Sequence, residues 1–590
     1  MTILVLFFEG SIARTTQIEL LAFFRGEMLK RSSDGSSIAE VVIPLSADPG
    51  TSDILSKLVF NNGYSLEVCH FGDCLKSPRM HDNPLEITWN PARNAVAFLS
   101  GPRRDGKYIP IIWNIKNNEF RRASGPLAVS AVDPIIFEAN GDSYLYSLGN
   151  SQQDQLLRVS YLHGVEELRS EVDRLSPLAG YDLYPRDGRL VFAEPSSYPF
   201  PSVKEASGAL EVVRGLYSNQ DDIRDLHWTH SENTIVMAAR SPGDSYYHLR
   251  YIDLAPHRLI DCPQIAGDVQ RPKPLGDRGL IVATVKYQGI DSLMVVKGCK
   301  IIALTDGPTI SAVNLRVDRS LDAERQILVS VSSMVATTSL YLAQCRDHKI
   351  GWTKLRQEIH GKDMEIVQST IEPQRVEIRS HGQIIKTWVW KPLGRPTGLV
   401  VLVHGGPHLA TDASWNMERL ELVRNGLLVL APDYSGSLSY GREFSATTSL
   451  ALEAAEISDV TDWGKNKWDI SANKTAIIAS SYGARIVENI VCENFNAQFE
   501  TIVLENPLKM QLSGYTPCHV HAGILLVTGA RDRIAPDIVA AESIFEGITS
   551  TEDWKRRNIW IRLSDEGHGI THLNNQLVIA QAVMHQLAKP

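Results

Sequence analysis

The chain is poor in cysteine: seven among 590 residues, at positions 69, 74, 262, 299, 345, 492 and 518, with no C-x-x-C pair. That scarcity excludes a disulfide-stapled scaffold and a cysteine-rich zinc module, and an odd number spread so widely reads as reduced thiols. Blocks of basic residues are also lacking. Lys and Arg total 59 against 68 Asp and Glu, a formal net charge of -9, so no nucleic-acid partner is expected. Long apolar runs are missing too. The run Ile3 to Phe8 is short, follows no basic residue and is stopped by Glu9. It fits neither a secretory signal nor a membrane span. The expectation is a cytoplasmic protein with no membrane partner.

What is present is an ordinary globular composition, 43% hydrophobic and 22% charged, in a chain too long for one core. At least two domains follow, and the sequence changes its grammar where they should meet. From about residue 60 to about residue 365 short apolar strands alternate with turn residues. Val96, Ile136, Val191, Val236, Val282 and Val329 mark six of them, at successive differences of 40, 55, 45, 46 and 47. Several marks follow a similar lead-in, as at Trp89-Asn90-Pro91, Tyr184-Pro185 and Trp228-Thr229. A period near ~45 residues with about four strands per period predicts a β-propeller, here of seven blades. An irregular β-sandwich is the alternative.

After about residue 370 the pattern becomes α/β. Arg375–Ile378 and Lys386–Trp390 flank Ser380-His381-Gly382 and read as a hairpin. The runs 398–403, 427–430, 475–478 and 524–527 are apolar throughout, like strands buried on both faces of a parallel sheet. Helical stretches, 415–425 and 453–466, lie between them. The predicted domains are therefore a propeller with an N-terminal extension over 1–370 and an α/β-hydrolase fold over 371–590.

Three motifs in the second region carry chemistry. Ala479-Ser480-Ser481-Tyr482-Gly483 follows an apolar strand and precedes a helix, the setting of a nucleophile elbow. Asp532 follows the strand 524–527, where catalytic loops of parallel sheets gather. His568 sits between Gly567 and Gly569. A serine hydroxyl is a weak nucleophile unless an imidazole takes its proton, and the imidazole needs a carboxylate to fix its tautomer. Ser481, Asp532 and His568 are the candidate catalytic residues, in the chain order of α/β-hydrolases. His404-Gly405-Gly406-Pro407 follows the first central strand, so Gly405 or Gly406 with Tyr482 would offer backbone N–H groups to an oxyanion.

These motifs, with Asp433-Tyr434-Ser435-Gly436-Ser437, Tyr440-Gly441-Arg442-Glu443-Phe444, Asp459, Trp463 and Pro536, make residues 375–590 resemble the prolyl oligopeptidase (S9) family of serine peptidases. The likeness is greater to its acylaminoacyl-peptidase and dipeptidyl-peptidase-like branch. The resemblance implies a propeller capping the hydrolase, peptidase activity on short or N-blocked peptides, and substrate contact at His404 and Tyr434. No metal or organic cofactor is implied. The chain departs from the family at Ala479 and Ala484, where glycines are usual, and at Ser435, where arginine is common. Only 51 residues separate Ser481 from Asp532, fewer than the family has. The shortfall falls around Leu508 to Pro517, through a remodelled pocket or an error in the gene model. An esterase or thioesterase-like hydrolase of a small metabolite is therefore a second expectation, and a silent propeller scaffold a third. Exo- against acyl-peptide preference and homo-oligomer formation stay open.

Overall fold

The structure, a computed structural model, describes residues 372–492, 499–508 and 522–529 without a break, shorter segments of 532–588, most of 222–357, and before that chiefly strands between residues 27 and 218. Among the described residues, seven four-stranded antiparallel sheets follow one another along the chain. They span 27–76, 84–122, 136–175, 180–218, 222–261, 268–305 and 313–357, and each is a meander of consecutive strands. The second strand lies inside its sheet, and in the fifth sheet it is apolar on both faces. Thr234–Arg240 is buried along all its central residues, whereas the edge strand Arg258–Asp261 is largely exposed. Alternation divides the inner side chains between two neighbours. In the sixth sheet Leu280, Val282 and Leu293 pack on Leu315, Ile327 and Val329 of the seventh. Ile281, Ala283 and Val285 pack instead on Val236, Leu249 and Tyr251 of the fifth. In the first sheet Glu27–Arg31 lies beside Val313–Leu321 of the seventh sheet and Pro84–Asn90 of the second.

Five of the six sequence marks fall on second strands. Ile136 is the exception, for it lies on the first strand of its sheet, Ile136–Phe137, ahead of the second strand Ser143–Asn150. That offset accounts for the uneven differences of 40 and 55.

The reading of all cysteines as reduced is corrected. Cys262 and Cys299 form a disulfide with Cα atoms 5.0 Å apart, while Cys345 is buried. Cys262 leaves the last strand of the fifth sheet and Cys299 sits in the final turn of the sixth. Stacking of the two sheets brings together residues that the sequence separates by 37. Tyr251 adds a second link there by donating to the Gly298 carbonyl at 2.8 Å.

From Gln374 the chain builds one eight-stranded sheet. Its strands are β1 (Gln374–Ser380), β2 (Gln383–Trp390), β3 (Gly398–Val403), β4 (Leu427–Asp433), β5 (Thr475–Ser480), β6 (Thr501–Glu505), β7 (Gly523–Gly529) and β8 (Ile559–Leu563), in the order β1-β2-β4-β3-β5-β6-β7-β8. The first hairpin is antiparallel, β2 meets β4 antiparallel, and every later pairing is parallel. His381 and Gly382 both have positive φ, as a two-residue hairpin turn requires. Helices α1 (Met417–Arg424), α2 (Arg442–Ala446), α3 (Leu450–Trp468), α4 (Gly483–Cys492) and α5 (Leu573–Ala588) complete the layer structure. On one face Leu399, Val401, Ile477 and Ala479 pack on Ile457, Val460 and Val487 of α3 and α4. On the other, Val400, Ala476 and Ile478 pack on Leu422 of α1 and Ile579 and Val583 of α5. Both faces are covered, hence the uninterrupted apolar runs. No helix among the described residues is long and apolar enough to cross a membrane.

The sheet region and the α/β region meet through specific backbone contacts. Gln288 N–H donates to the Ser439 carbonyl and Gly289 N–H to the Ser439 hydroxyl, each at 2.9 Å. Trp415 N–H donates to Ser332 Oγ at 2.9 Å, and Met334 joins the cluster around Trp388 and Trp390.

Candidate active site

The carboxyl ends of β3, β5, β6 and β7 converge on one place. Directly after β5, Ser481 has φ of 52°, a conformation that costs a serine energy and persists only where its surroundings enforce it. Its N–H donates to the Glu505 carbonyl at 2.9 Å, and its own carbonyl accepts from Ala484 N–H at 3.1 Å as α4 begins. Gly483 is confined by the strand beside it, because a Cβ there would lie 2.6 Å from the Val403 carbonyl and 2.8 Å from that of His404. Ala479 and Ala484, by contrast, keep their methyls fully buried in the core.

His568 Nε2 lies 2.9 Å from Ser481 Oγ, and its Nδ1 lies 2.7 Å from Asp532 Oδ2. Asp532 is held in turn by the Ile534 and Ala535 N–H groups, which donate to its Oδ1 at 2.8 and 3.0 Å. The carboxylate is buried and the imidazole about one quarter exposed, so the serine end of the relay is the accessible one. A residue from the second sheet also approaches. The Tyr108 hydroxyl is pushed up by burial and further by the charge of Asp532.

Gly405 lies against the nucleophile, since a Cβ there would stand 3.1 Å from Ser481 Cβ. Gly406 has φ of 132° and precedes a cis peptide to Pro407. His404 and Tyr434, of which substrate contact is expected, are held against the glycine loop. Tyr434 is fully buried and donates its hydroxyl to the His404 carbonyl at 2.8 Å. The His404 ring stacks on it at 4.3 Å, with its nitrogens 2.7 Å from the Gly405 carbonyl and 3.0 Å from Ser437 Oγ. A buried phenol must find an acceptor, and the carbonyl it finds is in the glycine loop. These two side chains support that loop from beneath. Burial lowers the His404 pKa, opposed by the nearby Asp433 charge.

Ser435 stands where the family commonly has arginine, and both its N–H and its hydroxyl donate to the buried Glu456 carboxyl, at 2.8 and 2.6 Å. With no guanidinium there, burial pushes the Glu456 pKa up. Tyr482 turns its hydroxyl away from the site to Glu453 Oε2 at 2.8 Å, leaving only its backbone for chemistry beside Ser481. The segment 509–521, which holds most of the expected shortfall, lies outside the described residues.

Two functional neighbours escaped the motif reading. Glu505 ends β6 and accepts the Ser480 hydroxyl at 2.6 Å. Burial pushes its carboxyl up. The adjoining Glu418 is pushed up further, by burial, by the Glu505 charge and by donating to Glu505. The next residue, Asn506, is buried and bonded both to β7 and to the loop that carries His568. The only signal in sequence was an apolar strand ending in Glu505-Asn506-Pro507, a pattern also read as an ordinary turn.

The fold is shared with solved peptidases of the prolyl oligopeptidase (S9) type, which are two-domain proteins with a propeller and a hydrolase domain. A puromycin-hydrolyzing peptidase of Mycobacterium tuberculosis superposes with a TM-score of 0.74 at 12% identity, covering 97% of this chain and 96% of that one. The acylaminoacyl peptidase of Pyrococcus horikoshii superposes at 0.66 and 12% identity over 95% and 94%. Oligopeptidase B from Leishmania major superposes at 0.72 and 10% identity over 98% and 89%. In sequence, 106 residues are 29% identical to acylamino-acid-releasing enzyme 1 of Oryza sativa subsp. japonica, which is 17% of this chain and 13% of that enzyme. No family model matches the chain.

Proposed function

We propose that this chain is a serine peptidase that cleaves short or N-blocked peptides through an acyl-enzyme. The observation that carries the reading is the hydrogen-bonded series Ser481–His568–Asp532, at 2.9 and 2.7 Å, in a fold shared with acylaminoacyl peptidase. His568 Nε2 takes the hydroxyl proton as Ser481 Oγ bonds to the substrate carbonyl carbon, while Asp532 holds the imidazole and stabilises its cation. The imidazolium returns the proton to the departing amine. Water then repeats the sequence on the ester, releasing the acid and restoring Ser481. Backbone N–H groups of Tyr482 and of Gly405 or Gly406 stabilise the oxyanion. The seven stacked sheets are read as the blades of one propeller over residues 1–370, which limits entry to small substrates, and residues 371–590 as the catalytic domain.

The 51-residue separation of Ser481 from Asp532 favours a second reading, an acyl hydrolase of small esters or thioesters with a reduced side-chain pocket. Labelling with a fluorophosphonate probe tests the shared chemistry. The native chain should label and Ser481→Ala should not; a folded native chain that fails to label defeats both readings. Parallel assays on N-acetyl peptide anilides and on short-chain esters then separate them.

A further inference from the structure

Asn506 stands just past the end of β6, between β7, the loop carrying His568 and the turn carrying Ser481. Its own N–H donates to the Val527 carbonyl of β7 at 2.8 Å. Its Oδ1 accepts from Gly529 N–H, the last residue of β7, at 2.6 Å. Its Nδ2 donates to the Gly567 and His568 carbonyls at 3.2 and 2.7 Å. The preceding residue holds the nucleophile, since the Glu505 carbonyl accepts the Ser481 N–H and its carboxyl accepts the Ser480 hydroxyl. Asn506 is 2% exposed and has φ of 42°, a left-handed conformation that asparagine tolerates better than other residues with a side chain. One carboxamide thus ties the loop carrying His568 to the strand leading to Asp532, beside the turn carrying Ser481.

We propose that Asn506 is a positioning residue that sets where the His568 imidazole stands between Ser481 and Asp532; this rests on the serine-hydrolase reading above. The chemistry of the amide suits the task. Two carbonyl oxygens on the histidine loop need a donor, and the β7 N–H needs an acceptor. Only a side-chain amide, asparagine or glutamine, supplies two donors and an acceptor from one planar group, and at this distance from the backbone asparagine is the one that fits. Leucine of similar size would leave all three backbone groups unpaired in a buried place. Misplacing a catalytic group by about 1 Å costs roughly 100-fold in rate.

Two variants separate the tether from the backbone conformation. Asn506→Gly keeps the left-handed φ and removes the amide. Asn506→Asp keeps the acceptor for Gly529 and replaces the donor by a group that repels both carbonyls. In the full-length chain, both should lower kcat by about 100-fold with KM changed less than about threefold. Both should also slow fluorophosphonate labelling in proportion and move the pH profile of labelling, because the imidazole is no longer held against Asp532. Thermal unfolding measured alongside identifies any variant that is merely unfolded at assay temperature. Asn506→Gly with native-like folding, an unchanged kcat and an unchanged pH profile overturns the proposal. Equal loss of rate explained wholly by a lower folded fraction overturns it as well. If the native chain labels and Ser481→Ala does not, either outcome leaves the hydrolase reading standing.

Discussion

The sharpest steric test of the site is Gly529→Ala. Gly529 ends β7, and its φ is not in the left-handed region, so an alanine there meets no backbone objection. It meets a space objection instead. An added Cβ would lie 2.2 Å from the Gly567 carbonyl oxygen and 2.6 Å from that of Glu566. Cβ contacts shorter than 3.0 Å are essentially absent from proteins, so the Gly567 carbonyl must retreat by at least 3.0 − 2.2 = 0.8 Å. That carbonyl belongs to the residue before His568. If the imidazole follows the full movement, its 2.9 Å hydrogen bond to Ser481 lengthens to 2.9 + 0.8 = 3.7 Å and ceases to be one. A near-complete loss of alignment costs about 100-fold in rate, and the crowding destabilises the fold by roughly 1–3 kcal/mol. The measurement is the second-order rate of fluorophosphonate labelling, with thermal unfolding in parallel. Gly243→Ala is the control, since nothing lies within 4 Å of its added Cβ, and it should label like the native chain. A folded Gly529→Ala chain that labels at the native rate refutes the claim that this backbone contact sets the histidine's position.

Two further outcomes concern stability. Asp291 is buried and its pKa is pushed up from 3.8 to about 6, first by burial and also by Asp412, against Lys286, Arg271 and the Leu315 N–H, which lower it. A value raised in the folded state means that the native protein keeps a proton the unfolded chain gives up. The associated stability is whole below about pH 4 and is lost by about pH 6, a span worth roughly 3 kcal/mol at most. Asp291→Asn cannot ionise, so its stability relative to the native chain should rise between pH 4 and pH 7 in urea melts. Parallel curves for the two proteins would refute this reading. Separately, the Cys262–Cys299 bridge closes a loop of 37 residues, for which chain entropy predicts about 4 kcal/mol of stabilisation. Reduction, or Cys262→Ser with Cys299→Ser, should lower the unfolding midpoint. An unchanged midpoint in fully alkylated protein would show that the bridge contributes nothing.

What was legible in the sequence follows from how local each feature is. The central strands showed as unbroken apolar runs because helices cover both sheet faces, so Val400 and Val401 are each fully buried on opposite sides. Ser481, Asp532 and His568 could be picked out because a strand end or a glycine marks each, with no need to know what else lies near. The disulfide was hidden, since 37 residues separate two thiols that only sheet stacking brings together. The partner of Tyr434 was hidden for a related reason: the motif places it beside the glycine loop, but only its burial in the fold shows that its hydroxyl donates to the His404 carbonyl.

Asn506 marks the limit of that local reading. Its partners lie 23, 61 and 62 residues away along the chain, and nothing near it in sequence announces them. The three motif residues state which chemistry is available, but their mutual distances are set elsewhere. Ser481 is fixed by the Glu505 carbonyl, Asp532 by the N–H groups of Ile534 and Ala535, and His568 by a loop that touches Asn506 and crowds Gly529. Each support involves a backbone group, met by another backbone group, by a side chain or by the absence of one. A chain can therefore keep the order Ser, Asp, His and still be inactive if Asn506 or Gly529 is replaced. Silence in such a chain would be written at the ends of β6 and β7, where a motif search does not look.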